Sequence, residues 1–246
     1  MPEYLIFQLA GPFASWGDVA PGETRNSYRH PSKSAVLGLV AGALGLKRGQ
    51  EEELQSLNRS LGFAAYWHQR FGPLEGREYQ SLLLEDYHTS QVDPADKKFN
   101  PQTRADELSG PKNNRSTILS TRQYLNDAYA RVALWRAGEG AVDLGELAAR
   151  LKAPVFAPYL GRKACSPALP FHPWLGEAKE LLEAFLAYPA PLLVPPGLGP
   201  ATLLWEDRGT PCRVEPTQRL SFRDALVSRD RWQYEPLTLC SRTLEE

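Results

Sequence analysis

The sequence predicts an α+β fold: a ferredoxin-like βαββαβ unit with a protruding loop, then a smaller, loop-rich lobe. Three observations predict it. The order strand, helix, strand, strand, insertion, strand, helix runs through the first 151 residues. Residues 89–121 break that order with Pro94, Pro101, Gly110, Pro111, Asn113 and Asn114, and hold little that could form a core. After Pro154 the character changes again, because Pro158, Pro167, Pro170 and Pro173 begin a punctuated stretch reaching Pro200. The expected division is therefore residues 1–154 and residues 155–246.

Each element has a local reason. Residues 4–10 are β-prone and apolar and close on Gly11-Pro12. Ser32 or Ser34 is placed to cap a helix over roughly 35–46, with Leu37, Val40, Ala41 and Leu44 on one face. Gly38, Gly42 and Gly45 in that helix would permit close packing against a sheet. Glu51 to Leu61 reads as a second helix, acidic at its start as the helix dipole prefers. Phe63 to His68 and Tyr79 to His88 read as strands, and Gln123 to Trp135 returns to β character. Leu144 to Leu151 and Glu177 to Ala187 read as helices.

The bulk numbers narrow the class. A chain of 246 residues with 42% hydrophobic and 23% charged residues matches ordinary soluble globular proteins. No apolar run approaches the length that crosses a bilayer, and Met1-Pro2-Glu3 has no basic start of a signal peptide, so the expected location is the cytoplasm. Cys165, Cys212 and Cys240 are too few and too far apart for a disulfide framework or a zinc site, and reduced thiols are expected. The formal charge of −1 argues against a protein that coats nucleic acid indiscriminately.

The distribution of charge is more informative. Residues 24–48 hold Arg25, Arg29, Lys33, Lys47 and Arg48 with no acid. Residues 109–125 hold Lys112, Arg115 and Arg122, and residues 158–171 hold Arg162 and Lys163, again with no acid. Segregation of this kind makes a basic face on a near-neutral molecule. The first stretch and the loop before it also carry Trp16, Tyr28 and His30, rings and donors suited to an anionic, base-bearing polymer. Trp16 reads equally as a core residue. In Tyr159-Leu160-Gly161-Arg162-Lys163 a glycine beside two cations lets backbone amides approach a phosphate; an ordinary turn with solvated charges fits the same run. The insertion carries Lys97, Lys98, Arg104, Lys112 and Arg115, either a basic arm or a surface loop. His88, after Asp86-Tyr87, is placed either to act as a general base or to hydrogen-bond at a strand end. Walker, nucleophile-elbow and dinucleotide fingerprints are absent from the sequence, and no cofactor or metal is expected.

Several blocks together carry a resemblance. They are Leu9-Ala10-Gly11-Pro12, Trp16-Gly17, Thr24-Arg25, Pro31-Ser32-Lys33-Ser34, Asp86-Tyr87-His88-Thr89, Arg122 to Ala128, Val132 to Trp135 and Pro158 to Lys163. In this order they resemble the CasD family of CRISPR-associated RAMP proteins. The resemblance implies an RRM-like palm with a β-hairpin thumb at about 89–121 and a small second lobe. It implies a subunit of the type I-E Cascade surveillance complex that caps the 5′ end of the crRNA and holds its repeat-derived handle. Its implied partners are the crRNA 5′ handle, the CasC backbone subunit, the CasA large subunit and, through the assembled complex, target DNA. It places Arg25, Arg29, Ser32, Lys33 and Ser34 near the handle and makes Tyr159 to Lys163 the glycine-rich loop. Relatives of another subtype cut precursor RNA, whereas in type I-E a separate subunit is the nuclease. The expectation is therefore a chain that is not an enzyme. A metal-independent endoribonuclease using His88 or Tyr28 is the competing reading, and a small-molecule protein with a phosphate-binding loop is a third.

Overall fold

The computed structural model describes residues 1–246 except 19, 21, 93–102, 104–105, 107–115, 139–141, 190–195, 210–211 and 246. Its spine is β1 (Glu3–Ala14), whose residues Tyr4 to Ala10 are buried on both faces of a sheet. That double burial explains why the run reads as continuously apolar. Two short strands follow, β2 (Trp16–Gly17) and β3 (Thr24–Arg25), then β4 (Ser27–Tyr28), which pairs with β2. Helix α1 (Lys33–Leu44) starts two residues earlier than expected, because Ser32 is its cap and accepts from the Ala35 amide at 3.3 Å. It ends at Gly45, whose φ of +81° closes the C-terminus. Helix α2 (Glu51–Ser60) leads directly into β5 (Leu61–Leu74), which turns back through β6 (Arg77–Gln80).

The insertion starts later and ends earlier than the sequence predicts. Strand β7 (Leu83–Val92) and strand β8 (Ser116–Arg136) pair antiparallel from Leu83↔Leu125 out to Val92↔Ser116. Residues expected to be loop thus extend a ladder, since paired backbone needs no core of its own. Lys97, Lys98, Arg104, Lys112 and Arg115 lie outside the described residues.

Beyond α3 (Leu144–Lys152), capped by Asp143, the chain adds β9 (Trp174–Glu177), α4 (Leu181–Ala187), β10 (Gly197–Glu206), β11 (Gln218–Ser228) and β12 (Gln233–Leu244). The helix expected from Glu177 starts instead at Leu181, because Glu177 ends an extended segment that satisfies the free edge of β1 through Glu3↔Glu177. The main sheet runs β11-β12-β10-β5-β8-β1-β9, so it passes across the expected boundary at 154/155. The pairings β1·β8, β5·β8, β1·β9 and β5·β10 are all antiparallel. One face packs Leu5, Phe7, Leu9, Phe63 and Val132 against α1, α2 and α3; the other packs Tyr4, Ile6, Tyr66, Trp135 and Trp205 against α4. Among the described residues no helix is long and apolar enough to cross a membrane, and Cys165, Cys212 and Cys240 are free.

Candidate nucleic-acid interface

Three basic stretches meet around one side chain. Strand β3 lies parallel to β8 with Arg25 opposite Arg122, and the Thr121 amide donates to the Glu23 carbonyl at 3.1 Å. Arg162 then ties both to the third stretch: it donates to the Gln123 carbonyl and to the Arg25 carbonyl, each at 3.1 Å. Its guanidinium also lies 4.7 Å from the Tyr124 ring centroid. The turn holding it is fixed by the Ser15 amide donating to the Leu160 carbonyl at 3.0 Å. Gly161 takes φ +85° there, and a Cβ on it would stand 1.8 Å from the Ser15 carbonyl oxygen. Only glycine fits that crossing.

Beside this junction opens a groove of about 910 Å³. Helix α1 forms its floor with Ser34, Ala35, Gly38 and Gly42; Phe156 to Tyr159 and Gly161 to Lys163 form one wall; residues 223–234 reach in from the β11–β12 hairpin. Its lining carries Lys47, Arg48, Arg162, Lys163, Arg223 and Arg229 against Asp18 and Asp224, a strongly positive balance on a chain of near-zero net charge. Gly38 and Gly42 were expected against the sheet. They face the groove instead, and a Cβ at either would meet nothing within 4 Å. The helix therefore presents bare backbone on this side, which lets a ligand chain approach closely.

The structure sorts the predicted residues. Arg25, Arg29, Tyr159, Gly161 and Lys163 are exposed, and Tyr28, Ser34 and Arg162 are half-buried on or beside the groove. Arg25 folds back onto the Gly22 and Thr24 carbonyls. Tyr28 donates to Asp18 at 2.5 Å, and burial, then Asp18, pushes its hydroxyl well above the usual phenol range. Three expectations need correction. Trp16 is buried, its amide held by the Ser27 hydroxyl at 2.9 Å, so the indole is core and not a stacking surface. Lys33 is 1% exposed and ion-paired with Glu206 at 2.8 Å, too deep to reach a phosphate. Ser32, although it touches the groove, is buried with its hydroxyl committed as the α1 cap, and the Ser34 amide already binds the Asp224 carboxylate at 3.1 Å. An internal carboxylate thus occupies the N-terminus of α1, where an anion would otherwise be favoured. His88 pairs with Asp86 at 3.3 Å on β7; neither it nor Arg122, which donates to Ser120, lines the groove. Lys112 and Arg115 lie outside the described residues. Among the described residues no cluster of His, Cys, Asp and Glu could hold a metal ion.

Sequence reasoning missed the contribution of residues 223–234. Their signal is nevertheless present: Phe222, Arg223, Arg229, Arg231, Trp232 and Tyr234 follow one another in a short segment. Aromatic side chains interleaved with arginines are the pattern that grips single strands.

His30 packs behind Tyr28, a residue of the groove lining. Its ring stacks on Tyr28 at 5.3 Å and meets Trp67 and Phe222 at 5.3 and 5.5 Å. Burial pushes the imidazole below its usual 6.5, against a smaller opposite pull from the Pro31 carbonyl. Protonation therefore favours the unfolded chain. The stability His30 contributes is complete above about pH 6.5 and is lost as pH falls through the lower folded value. Asp224, raised above its usual 3.8 by burial, acts in the opposite sense as pH falls, so a difference measurement is needed. Urea midpoints at about pH 7.5 and about pH 5 should fall further for the wild type than for His30→Phe. Equal falls would contradict the assignment.

Comparison with known proteins agrees with this architecture. The family model described as CRISPR-associated protein (Cas_Cas5) matches residues 4–236. The CRISPR system Cascade subunit CasD of Escherichia coli (strain K12) is 33% identical over 188 residues, covering 76% of this chain and 78% of that protein. A chain of a solved CRISPR RNA-guided surveillance complex superposes with a TM-score of 0.64 at 25% identity, over 98% of this chain and 90% of that one. A solved Cas protein shares the fold with a TM-score of 0.62 at 24% identity, over 98% and 95% of the two chains. With the family model matching residues 4–236 and a relative 33% identical over three quarters of both chains, the chain belongs to the Cas5 family of CRISPR-associated proteins, the family of the Cascade subunit CasD.

Proposed function

We propose that this chain is a non-catalytic subunit of a type I-E Cascade surveillance complex in antiviral defence, and that its groove holds the 5′ handle of the crRNA. The observation that carries the reading is the groove itself: a floor of bare helix backbone, walls bearing Lys47, Arg48, Lys163, Arg223 and Arg229, and, among the described residues, only two acids in the lining. Single-stranded RNA is gripped by cations on its phosphates and by flat groups against its bases. The strand order β5-β8-β1-β9, with α1 and α2 before β5 and α3 before β9, supports a ferredoxin-like palm. The antiparallel β7–β8 arm supports a thumb that projects from that palm toward the CasC backbone subunit. The CasA large subunit and, through the complex, target DNA complete the expected set of partners.

Holding rather than cutting is favoured by where the candidate catalytic groups lie. His88 pairs with Asp86 away from the groove, and the Tyr28 hydroxyl is committed to Asp18. The test is a titration of repeat-derived guide RNA against the full chain at several salt concentrations. Affinity should fall with salt, and Lys163→Gln should lower the steepness by about 0.7 in log–log slope, the value for one single-strand phosphate contact. Gly38→Ala should stabilise the fold by about 0.5–1 kcal/mol, since it removes a helix-interior glycine with no clash. Gly38→Trp should instead fill the groove and abolish RNA binding in a folded protein. Unchanged RNA binding by Gly38→Trp would overturn the proposal.

A further inference from the structure

The turn between β11 and β12 carries a feature the handle reading does not require. Trp232 sits there with φ +53°, a region bulky residues rarely occupy. Its indole is 54% exposed and belongs to neither hydrophobic cluster. Two guanidinium groups lie over the ring: Arg48, from the loop after α1, at 4.6 Å, and Arg229, from the hairpin, at 4.3 Å. Arg229 is fixed in turn, since its guanidinium donates to the Tyr234 hydroxyl and its amide to the Glu51 carboxylate at 2.9 Å. All three groups line the groove, so the loop after α1 and the β11–β12 hairpin meet there in one cation–aromatic tier.

Backbone in a sparsely populated region persists where surrounding structure holds it, and such positions cluster at binding sites. A tryptophan held in place yet left in solvent offers a stacking face at little entropic cost. The adjoining guanidinium forks offer donors of the geometry that phosphate accepts.

We propose that the Arg48–Trp232–Arg229 tier is a docking step for one unpaired nucleotide of single-stranded RNA. The base stacks on the planar tier and its phosphate takes the free guanidinium donors. The inference rests on the groove being an RNA groove and goes beyond it by giving the C-terminal hairpin a direct part in binding. A protein partner fits less well, because the cores of protein interfaces are depleted in charge, while Lys47 and Arg223 line the same groove beside the two arginines of the tier.

The experiment uses the full chain and fluorescence anisotropy with guide RNA bearing its repeat-derived 5′ end, plus a series in which single nucleotides are made abasic. Trp232→Ala should weaken binding about tenfold, within the span for losing one base–aromatic stack, while Trp232→Phe should stay within about threefold of wild type. One abasic position should weaken wild-type binding by a similar factor, and on that RNA Trp232→Ala should add nothing. That coupling supports the proposal and is not produced by a merely structural role. An equal Trp232→Ala penalty on every abasic RNA would overturn it. So would unchanged RNA affinity in Trp232→Ala, including the case where partner subunits are lost instead. Wild-type chain that binds no RNA would overturn the groove reading and this one together; wild-type binding with an unaffected Trp232→Ala overturns this one alone.

Discussion

Lys33→Met alone should destabilise the fold by about 3–5 kcal/mol, because it strands a buried carboxylate. The Lys33 ammonium lies 2.8 Å from Glu206 Oε2 and donates to the Asn58 carbonyl at 3.3 Å. Burial pushes its pKa down, and Glu206 pulls it back up. Without the lysine, Glu206 keeps only its ion pair with Arg208, 3.3 Å from the other carboxylate oxygen. The double variant Lys33→Met/Glu206→Met should recover most of the loss, since two apolar side chains of similar volume replace the pair. Arg208 is not stranded in that variant, because it still donates to the Asn58 and Leu61 carbonyls at 3.2 and 3.0 Å. Urea unfolding of the three proteins checks this. A single variant within about 1 kcal/mol of wild type, the size of an exposed pair, would show that the pair does not anchor α1 to β10.

Gly161→Ala should damage both stability and RNA binding. Its left-handed backbone alone costs a non-glycine residue about 1–3 kcal/mol. The added Cβ would also drive into the Ser15 carbonyl, which is backbone and cannot swing aside. The turn would have to move, and with it Arg162, whose bonds to the Gln123 and Arg25 carbonyls join three chain segments. RNA affinity should fall about tenfold or more, the scale of one lost cationic contact. Gly76→Ala separates the two causes: its φ is +75°, but a Cβ there meets nothing within 4 Å. That variant should lose only the conformational part and bind RNA as wild type does. Equal effects at Gly161 and Gly76 would contradict the close-crossing argument.

What the sequence disclosed follows from how local each cause is. Helices α1, α2 and α3 are legible because periodicity, capping and dipole effects act within a few residues. Strand β1 is legible as an apolar run. Strand β9 is not, because its extended state answers the free edge of β1, about 170 residues away. The basic stretches are visible as charge segregation; the first and third bring Lys47, Arg48, Arg162 and Lys163 to the groove, while the second meets Arg162 only through the Gln123 carbonyl. Lys33 and Trp16 misled for a shared reason. A cation and an indole in a loop read as ligand contacts, and only tertiary packing shows Glu206 waiting for one and the core enclosing the other. Asp224 is a third case: a carboxylate 190 residues distant fills the amide site beside Ser34. Gly38 and Gly42 looked like packing glycines because sequence gives their spacing and not the direction they face. Trp232 carried its own signal, in a C-terminal lobe that reads from sequence only as loop-rich.

The most direct test is photo-crosslinking of guide RNA, labelled with photoreactive nucleotides through its repeat-derived 5′ end, to the full chain in the assembled complex. Crosslinked peptides should map to three segments: 34–48 on α1 and the loop after it, 156–163, and 223–234. Crosslinks confined to the opposite face of the sheet, around α4, would contradict the account.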